Sequence, residues 1–198
     1  MTTQTRTSEL EAVNTILSTI GESPLNTLSG SLPVDGTIAK NVLSEVSREV
    51  QSQGWHFNTH YKVSLSRDTD NKIPLATNIV RVEIDPRQYS KVSYDIVQRN
   101  NFLYNLAKNE DTFDTNFKDA TAVYLLPFDE IPEQAKRYIT IRSARIFHDR
   151  TLGANTIHKF SQEDEAKSLS ILKQAESHTG DYSIFDTPEQ AYTIIRGH

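Results

Sequence analysis

The chain of 198 residues contains no cysteine, which excludes disulfide scaffolding, thiolate nucleophiles and cysteine-ligated metals together. Its fold must rest on packing or on partners. Glycine and proline are scarce, 7 of each, so each one that interrupts an apolar pattern carries positional meaning. Long apolar runs are missing: the longest, AVYLLPF at 122–128, falls far short of the ~20 residues of a membrane-spanning helix. The opening MTTQTRTSELEAV has a single arginine and no apolar stretch, so a soluble protein without a secretion signal or membrane contact is expected. A basic excess is lacking, with 21 Lys and Arg against 26 Asp and Glu and a formal net charge of -5. Tight retention of a phosphate backbone needs clustered positive charge, so DNA is disfavoured as a held ligand. A mildly acidic wall does suit DNA that must slide past.

Apolar residues make up 36% of the chain, below the ~45–50% of ordinary globular domains, so the surface is largely polar or the shape is open. The length suits one substantial core or two small ones.

Ser8 and Glu11 have capping-box spacing, and Leu10, Val13, Ile16, Leu17 and Ile20 then recur at three and four residues. That predicts an amphipathic helix over 8–20, stopped by Gly21. Asp35 can cap a second helix with the stripe Ile38, Val42, Leu43, Val46 and Val50, ended by Gly54. From Trp55 the period changes to two: Tyr61, Val63 and Leu65, then Val80, Val82 and Ile84, then Val92, Tyr94 and Ile96. Asp85 to Gln88 is turn material, which predicts a hairpin between the last two runs. Residues 98–120 are polar with scattered Phe102, Tyr104, Phe113 and Phe117, and read as a long loop with room for one short strand. A further strand over 122–126 stops at Pro127.

After Asp129 the segment DEIPE suits a helix start, and Ala135, Tyr138, Ile139 and Ile146 form the inner stripe of a third helix closed by Gly153. A fourth helix is expected from about 155 to 178, with Ile157, Phe160, Leu169, Leu172 and Ala175 inward. Helices at both ends and strands between them define an α+β class. The expected arrangement is a four-helix bundle built from 1–54 and 128–178, an inserted antiparallel β-rich domain over 55–127, and a tail over 179–198.

Candidate chemistry is sparse. His56 and His60 have the spacing that chelates zinc on a helix, but they lie where the pattern turns to strand, and there four residues span ~13 Å. RDTDNKIPL at 67–75 begins like a calcium loop and then lacks its glycine and closing glutamate. No cofactor is expected. Carboxylates at Asp129, Glu130 and Glu133, or at Glu163, Asp164 and Glu165, could form the pair a glycan hydrolase needs; acids in first helical turns are also what the helix dipole favours. Neither a phosphate-binding glycine loop nor a nucleophile elbow is present in the sequence. Arg137, Arg142, Arg145 and Arg150 spread over several faces of the third helix, which reads as a solvated or intersubunit face rather than a nucleic-acid stripe. In the tail, Tyr182, Ile184, Phe185, Tyr192, Ile194 and Ile195 are too apolar for a segment without a partner surface, whether on its own domain or on another subunit.

Four stretches together are similar to the tail tubular protein A family of short-tailed bacteriophages: AVNTILSTIGESPLNTL at 12–28, EVQSQGWHFN at 49–58, LPFDEIPEQAKRYITIRSARIFHDRTLGA at 126–154, and QEDEAKSLSILKQAE at 162–176. The resemblance covers the two helical ends and is weak from Leu65 to Ala120. It implies a virion structural protein made in the host cytoplasm and built into the virion tail. There it would form a twelve-membered adaptor ring between the portal protein and the tail nozzle (tail tubular protein B), with the genome passing through its centre. It implies that the helical part faces the portal and neighbouring subunits and that the β-rich part reaches the nozzle. Portal docking would fall to Tyr182, Ile184, Phe185, Tyr192, Ile194 and Ile195, and intersubunit contact to the helix face of Arg137, Arg142, Arg145 and Arg150. Assembly, not turnover, is the expected mechanism.

Overall fold

The computed structural model describes residues 5–84, 94–153 and 160–179. Helix α1 spans Glu9–Leu17, α2 Val34–Gln51, α3 Glu133–Leu152 and α4 Gln162–Thr179. Strands β1 (Thr59–Leu65), β2 (Ile79–Glu83), β3 (Ile96–Arg99), β4 (Phe102–Asn105) and β5 (Phe117–Tyr124) lie between α2 and α3.

The N-terminus of α1 is fixed by a reciprocal box: the Glu11 amide donates to Ser8 Oγ at 3.2 Å, and the Ser8 amide donates to the Glu11 carboxylate at 2.7 Å. The helix is shorter than expected, ending at Leu17, and the chain then turns through Gly21 at φ 81°. That left-handed conformation is open to glycine at no steric cost. Asn14 completes the corner, its Oδ1 accepting from the Leu25 amide at 2.7 Å and its Nδ2 donating to the Leu25 carbonyl at 2.9 Å. Leu25 in turn packs onto Gly36, its Cδ1 2.9 Å from where a Cβ would stand, so any side chain there would push the Leu25 tip aside.

Helix α3 is the hub. Its buried residues run around most of its circumference, from Ala135 and Tyr138 to Ser143, Ala144 and Phe147, because α1, α2 and α4 all pack on it. Helices α1 and α2 also pack on each other, whereas α1 and α4 make no substantial contact. One apolar cluster joins these elements, with Ile16, Leu17, Leu43, Val46, Ile139, Phe147 and Leu172 at its centre. The outer edge of α4 differs from expectation. Among the described residues it begins at Gln162, capped by Ser161, which exchanges bonds of 2.9 and 3.1 Å with Asp164. Ile157 lies outside the described residues.

The strands form a three-stranded antiparallel sheet in the order β1-β5-β2 and a separate pair, β3 with β4. This corrects the expected hairpin. Residues 85–93 lie outside the described residues, but β2 bonds to β5, and β3 pairs forward to β4 rather than back to β2. The turn between β3 and β4 is made by Asn100 and Asn101, both at positive φ (49° and 60°), the requirement of a two-residue hairpin whose twist matches its strands. The expected loop over 98–120 therefore holds β4 and the start of β5. A second cluster, with Ile73, Leu103, Phe113 and Phe117 at its centre, packs under these strands.

Polar side chains bind the two clusters together. Asn58, fully buried, donates to the carbonyls of Gln51 (2.8 Å) and Tyr124 (2.7 Å) and accepts from the Trp55 amide at 2.8 Å.

Candidate functional site

Four arginines of α3, spread over several of its faces, were expected to be solvated or to meet a neighbouring subunit. Two of them point inward to a shared carboxylate: Arg142 Nη1 and Arg145 Nε donate to the two oxygens of Glu165 on α4, at 2.7 and 2.6 Å. Arg142 also reaches Glu49 on α2 at 2.7 Å, so one guanidinium ties α2, α3 and α4. Burial works to raise the Glu165 carboxyl's pKa, and the hydrogen bonds from Arg145 and Arg142 outweigh it and hold the group below the usual carboxylate range. Arg150 forms a bidentate pair with Glu45 at 2.8 and 2.9 Å, on the surface. These three arginines thus have partners within the chain.

Arg137 is different. Its guanidinium lies 5.6 Å from the Phe160 ring and makes no hydrogen bond or ion pair among the described residues. It stands in a groove of about 530 Å³ that opens where α1 and α4 diverge over α3, lined by Thr7, Glu11, Glu133, Arg137, Thr140 and Ile171. Both acids there are already engaged, Glu11 with Ser8 and Glu133 with Thr7. Ile171 stands 48% exposed at the groove's edge.

Of the carboxylates considered for hydrolysis, Glu133, Asp164 and Glu165 have other work. Glu133 accepts from both the amide and the hydroxyl of Thr7, at 2.9 and 2.8 Å. Glu165 is clamped by arginines, and Asp164 is occupied with Ser161. Asp68, in the calcium-like segment, accepts from the amides of Asp70 and Lys72, both at 2.9 Å. His56 starts a short turn at the end of the helical part, and His60 sits in β1 with its ring centroid 4.6 Å from that of Tyr124. Among the described residues no three His, Asp or Glu side chains are grouped to hold a metal ion, and no helix is long and apolar enough to cross a membrane. Tyr182, Ile184, Phe185, Tyr192, Ile194 and Ile195 lie outside the described residues.

Sequence reasoning missed the half-buried amide Asn14, the buried amides Gln51 and Asn58 and the buried cation Lys136. Their signal was a polar residue lodged in or beside an apolar stripe near a helix end, as Asn14 is beside Val13 and Gln51 beside Val50.

An α+β chain in which Arg142, Arg145 and Arg150 tie its own helices together, and whose exposed apolar side chains occupy several separate places, has the make-up of a structural subunit. Comparison with known proteins agrees. Residues 10–182 match the family described as tail tubular protein. The chain is 27% identical over 167 residues to Tail tubular protein A of Klebsiella phage KP34, covering 84% of this chain and 86% of that protein. The chain belongs to the tail tubular protein family and is a structural component of a bacteriophage tail, assembled there with other phage proteins.

Proposed function

We propose that the chain is one subunit of a twelve-membered adaptor ring that joins the portal to the tail nozzle, with the genome passing through its centre and helped to stay packaged until ejection. The helical parts, 1–54 and 128–178, act as a bundle domain toward the portal and the neighbouring subunits. The inserted β-rich part, 55–127, reaches toward the nozzle, and the tail residues Tyr182, Ile184, Phe185, Tyr192, Ile194 and Ile195 dock on the portal.

The extent of the family match carries this reading: residues 10–182 take in every strand and, but for the first residue of α1, every helix described above. Exposed apolar side chains support it, with Val34, Ile38, Leu152 and Ile171 on the helices and Tyr61 and Leu106 among the strands. A subunit with neighbours on several sides needs apolar surface in several places. The net charge of -5 suits a channel that DNA traverses without being held. Of the arginine face, Arg137 is the member available to a neighbour, while Arg142, Arg145 and Arg150 stiffen the helices behind it.

The test is the particle mass of the purified chain alone and mixed with its portal. A monomer alone and a ring with portal are expected; a stable monomer under both conditions would remove the adaptor reading.

A further inference from the structure

Going around α3, the helical part presents the groove, then α1, then α2 packed on α1, and then the Arg142 bridge from α2 to α4. Among the described residues the groove is thus a side of α3 on which neighbouring helices fail to close. Its floor is polar, its edge carries the exposed Ile171, and its cation, Arg137, lacks an ion pair among the described residues while its two acids are satisfied. It is suited to an apolar knob that brings its own carboxylate.

Such a knob exists elsewhere on the same molecule. At the start of α2, Val34 is 74% and Ile38 39% exposed, one helical turn apart on one face. Between them Asp35 is half-buried, and its carboxylate makes no hydrogen bond or ion pair among the described residues. The knob sits on α2 and the groove beyond α1, so the two patches occupy different flanks. Two distinct complementary patches on one chain are what a head-to-tail contact requires, and such contacts close into rings when the rotation allows.

We propose that the groove between α1 and α4 receives the Val34–Ile38 turn of a second copy of this chain, with Ile171 packing on Val34 and Ile38 and Arg137 pairing with Asp35. The contact deepens the ring reading above and rests on it. Charge complementarity fixes the direction, since the cation lies in the socket and the anion on the plug. Each subunit uses its plug on one neighbour and its socket on the other, so the contact propagates instead of ending at a dimer.

The absence of native cysteine makes cross-linking clean. A chain carrying both Val34→Cys and Ile171→Cys, assembled with portal and treated with a short bis-maleimide, is expected to give a ladder of covalent multimers. Each single variant, with only one thiol at every contact, should stay monomeric. Arg137→Glu should lower ring yield by about tenfold, and adding Asp35→Arg to the same chain should restore it. Val34, Arg137 and Ile171 are solvent-facing, so circular dichroism and the unfolding midpoint of variants at these three should match the parent chain. Should the parent form a ring by mass while the double-cysteine chain gives no ladder and Arg137→Glu assembles normally, the contact is wrong and the ring reading stands. Should the parent form no ring with portal, both fall. Cross-linking of Ile171→Cys to Phe185→Cys in place of Val34→Cys would give the groove to the C-terminal tail and overturn the proposal.

Discussion

The side-chain amide of Gln51 is bonded to both backbone groups of Leu126: its Oε1 accepts from the Leu126 amide at 2.8 Å and its Nε2 donates to the Leu126 carbonyl at 3.0 Å. The last residue of α2 thereby stands in for a strand neighbour and holds the chain as it leaves β5 for α3. Asn14 treats Leu25 in the same way at the α1 corner. Two returns of the chain, one at each end of the helical part, are fixed by side-chain amides copying backbone pairing.

Gln51 is 2% exposed, so removing its amide leaves a buried site and two half-buried backbone groups of Leu126 without their partner. Gln51→Met, close in volume, should cost about 2–4 kcal/mol in urea unfolding. Asn14→Ala should cost less, since its site is only partly buried and water can reach Leu25. Equal stability of Gln51→Met and the parent would show that Leu126 finds other partners.

The helices were legible because burial repeats at 3.6 residues and their ends carry local chemistry. Ser8 with Glu11 marked one start, and Gly21, Gly54 and Gly153 marked stops. The start of α4 was missed although Ser161 and Asp164 have box spacing, because apolar Ile157 and Phe160 extend the period beyond the cap. The strands were less legible. Alternation fails where a residue is inserted: with Asp119 at φ 60°, the buried positions of β5 run Phe117, Ala120, Ala122, and the period of two is lost. Pairing was not legible at all, since β2 and β3 are neighbours in sequence yet bond elsewhere. Of the arginine face, charge alone could not tell Arg137, standing at an open groove, from Arg142 and Arg145, whose partner Glu165 lies 20 or more residues away.

The clamp on Glu165 predicts a pH dependence. Its folded pKa is depressed, so its contribution is fully present above the unfolded carboxylate value of ~4.3 and is lost as pH falls through the lower folded value. Glu165→Gln should cost about 1–3 kcal/mol at pH 7. Between pH 5 and 3 its urea midpoint should fall less steeply than that of the parent, since other depressed carboxylates such as Asp114 and Glu133 remain. Parallel pH profiles for the two proteins would mean that the arginines add no net stability through this carboxylate.

Lys62 and Asp119 are exposed strand residues at φ 58° and 60°. Between His60 and Val63, β1 carries one residue more than β5; between Val63 and Leu65 the excess is on β5. The two insertions offset each other, so the ladder enters and leaves in the same register while bending between. Lys62→Gly relieves the left-handed conformation and should leave stability unchanged or raised by about 0.5–1 kcal/mol; Lys62→Val should lower it by about 1–2 kcal/mol. Thermal unfolding decides: a valine tolerated as well as glycine would mean that the bulge relaxes at no cost.

Lys136 is 1% exposed, yet its ammonium is satisfied, donating to the carbonyls of Thr7 at 2.8 Å and Asp129 at 3.1 Å and lying 3.4 Å from Glu133. Thr7 donates twice to Glu133, and the Glu9 amide donates to Asp129 at 3.0 Å. The segment ahead of α1 is therefore strapped to the start of α3 by one buried cation and the groups it gathers. Lys136→Met keeps the aliphatic stem and removes the donors. Because a released Thr7 carbonyl can turn to water, the global cost should be only about 1–2 kcal/mol. The larger effect should be local: Arg6, exposed and adjoining the strap, should be cut by trypsin about tenfold faster once Thr7 lets go. Mass spectrometry of timed digests reads the cut directly. Loss of global stability with the Arg6 cut unchanged would mean that Lys136 serves packing and that Glu133 alone holds the strap.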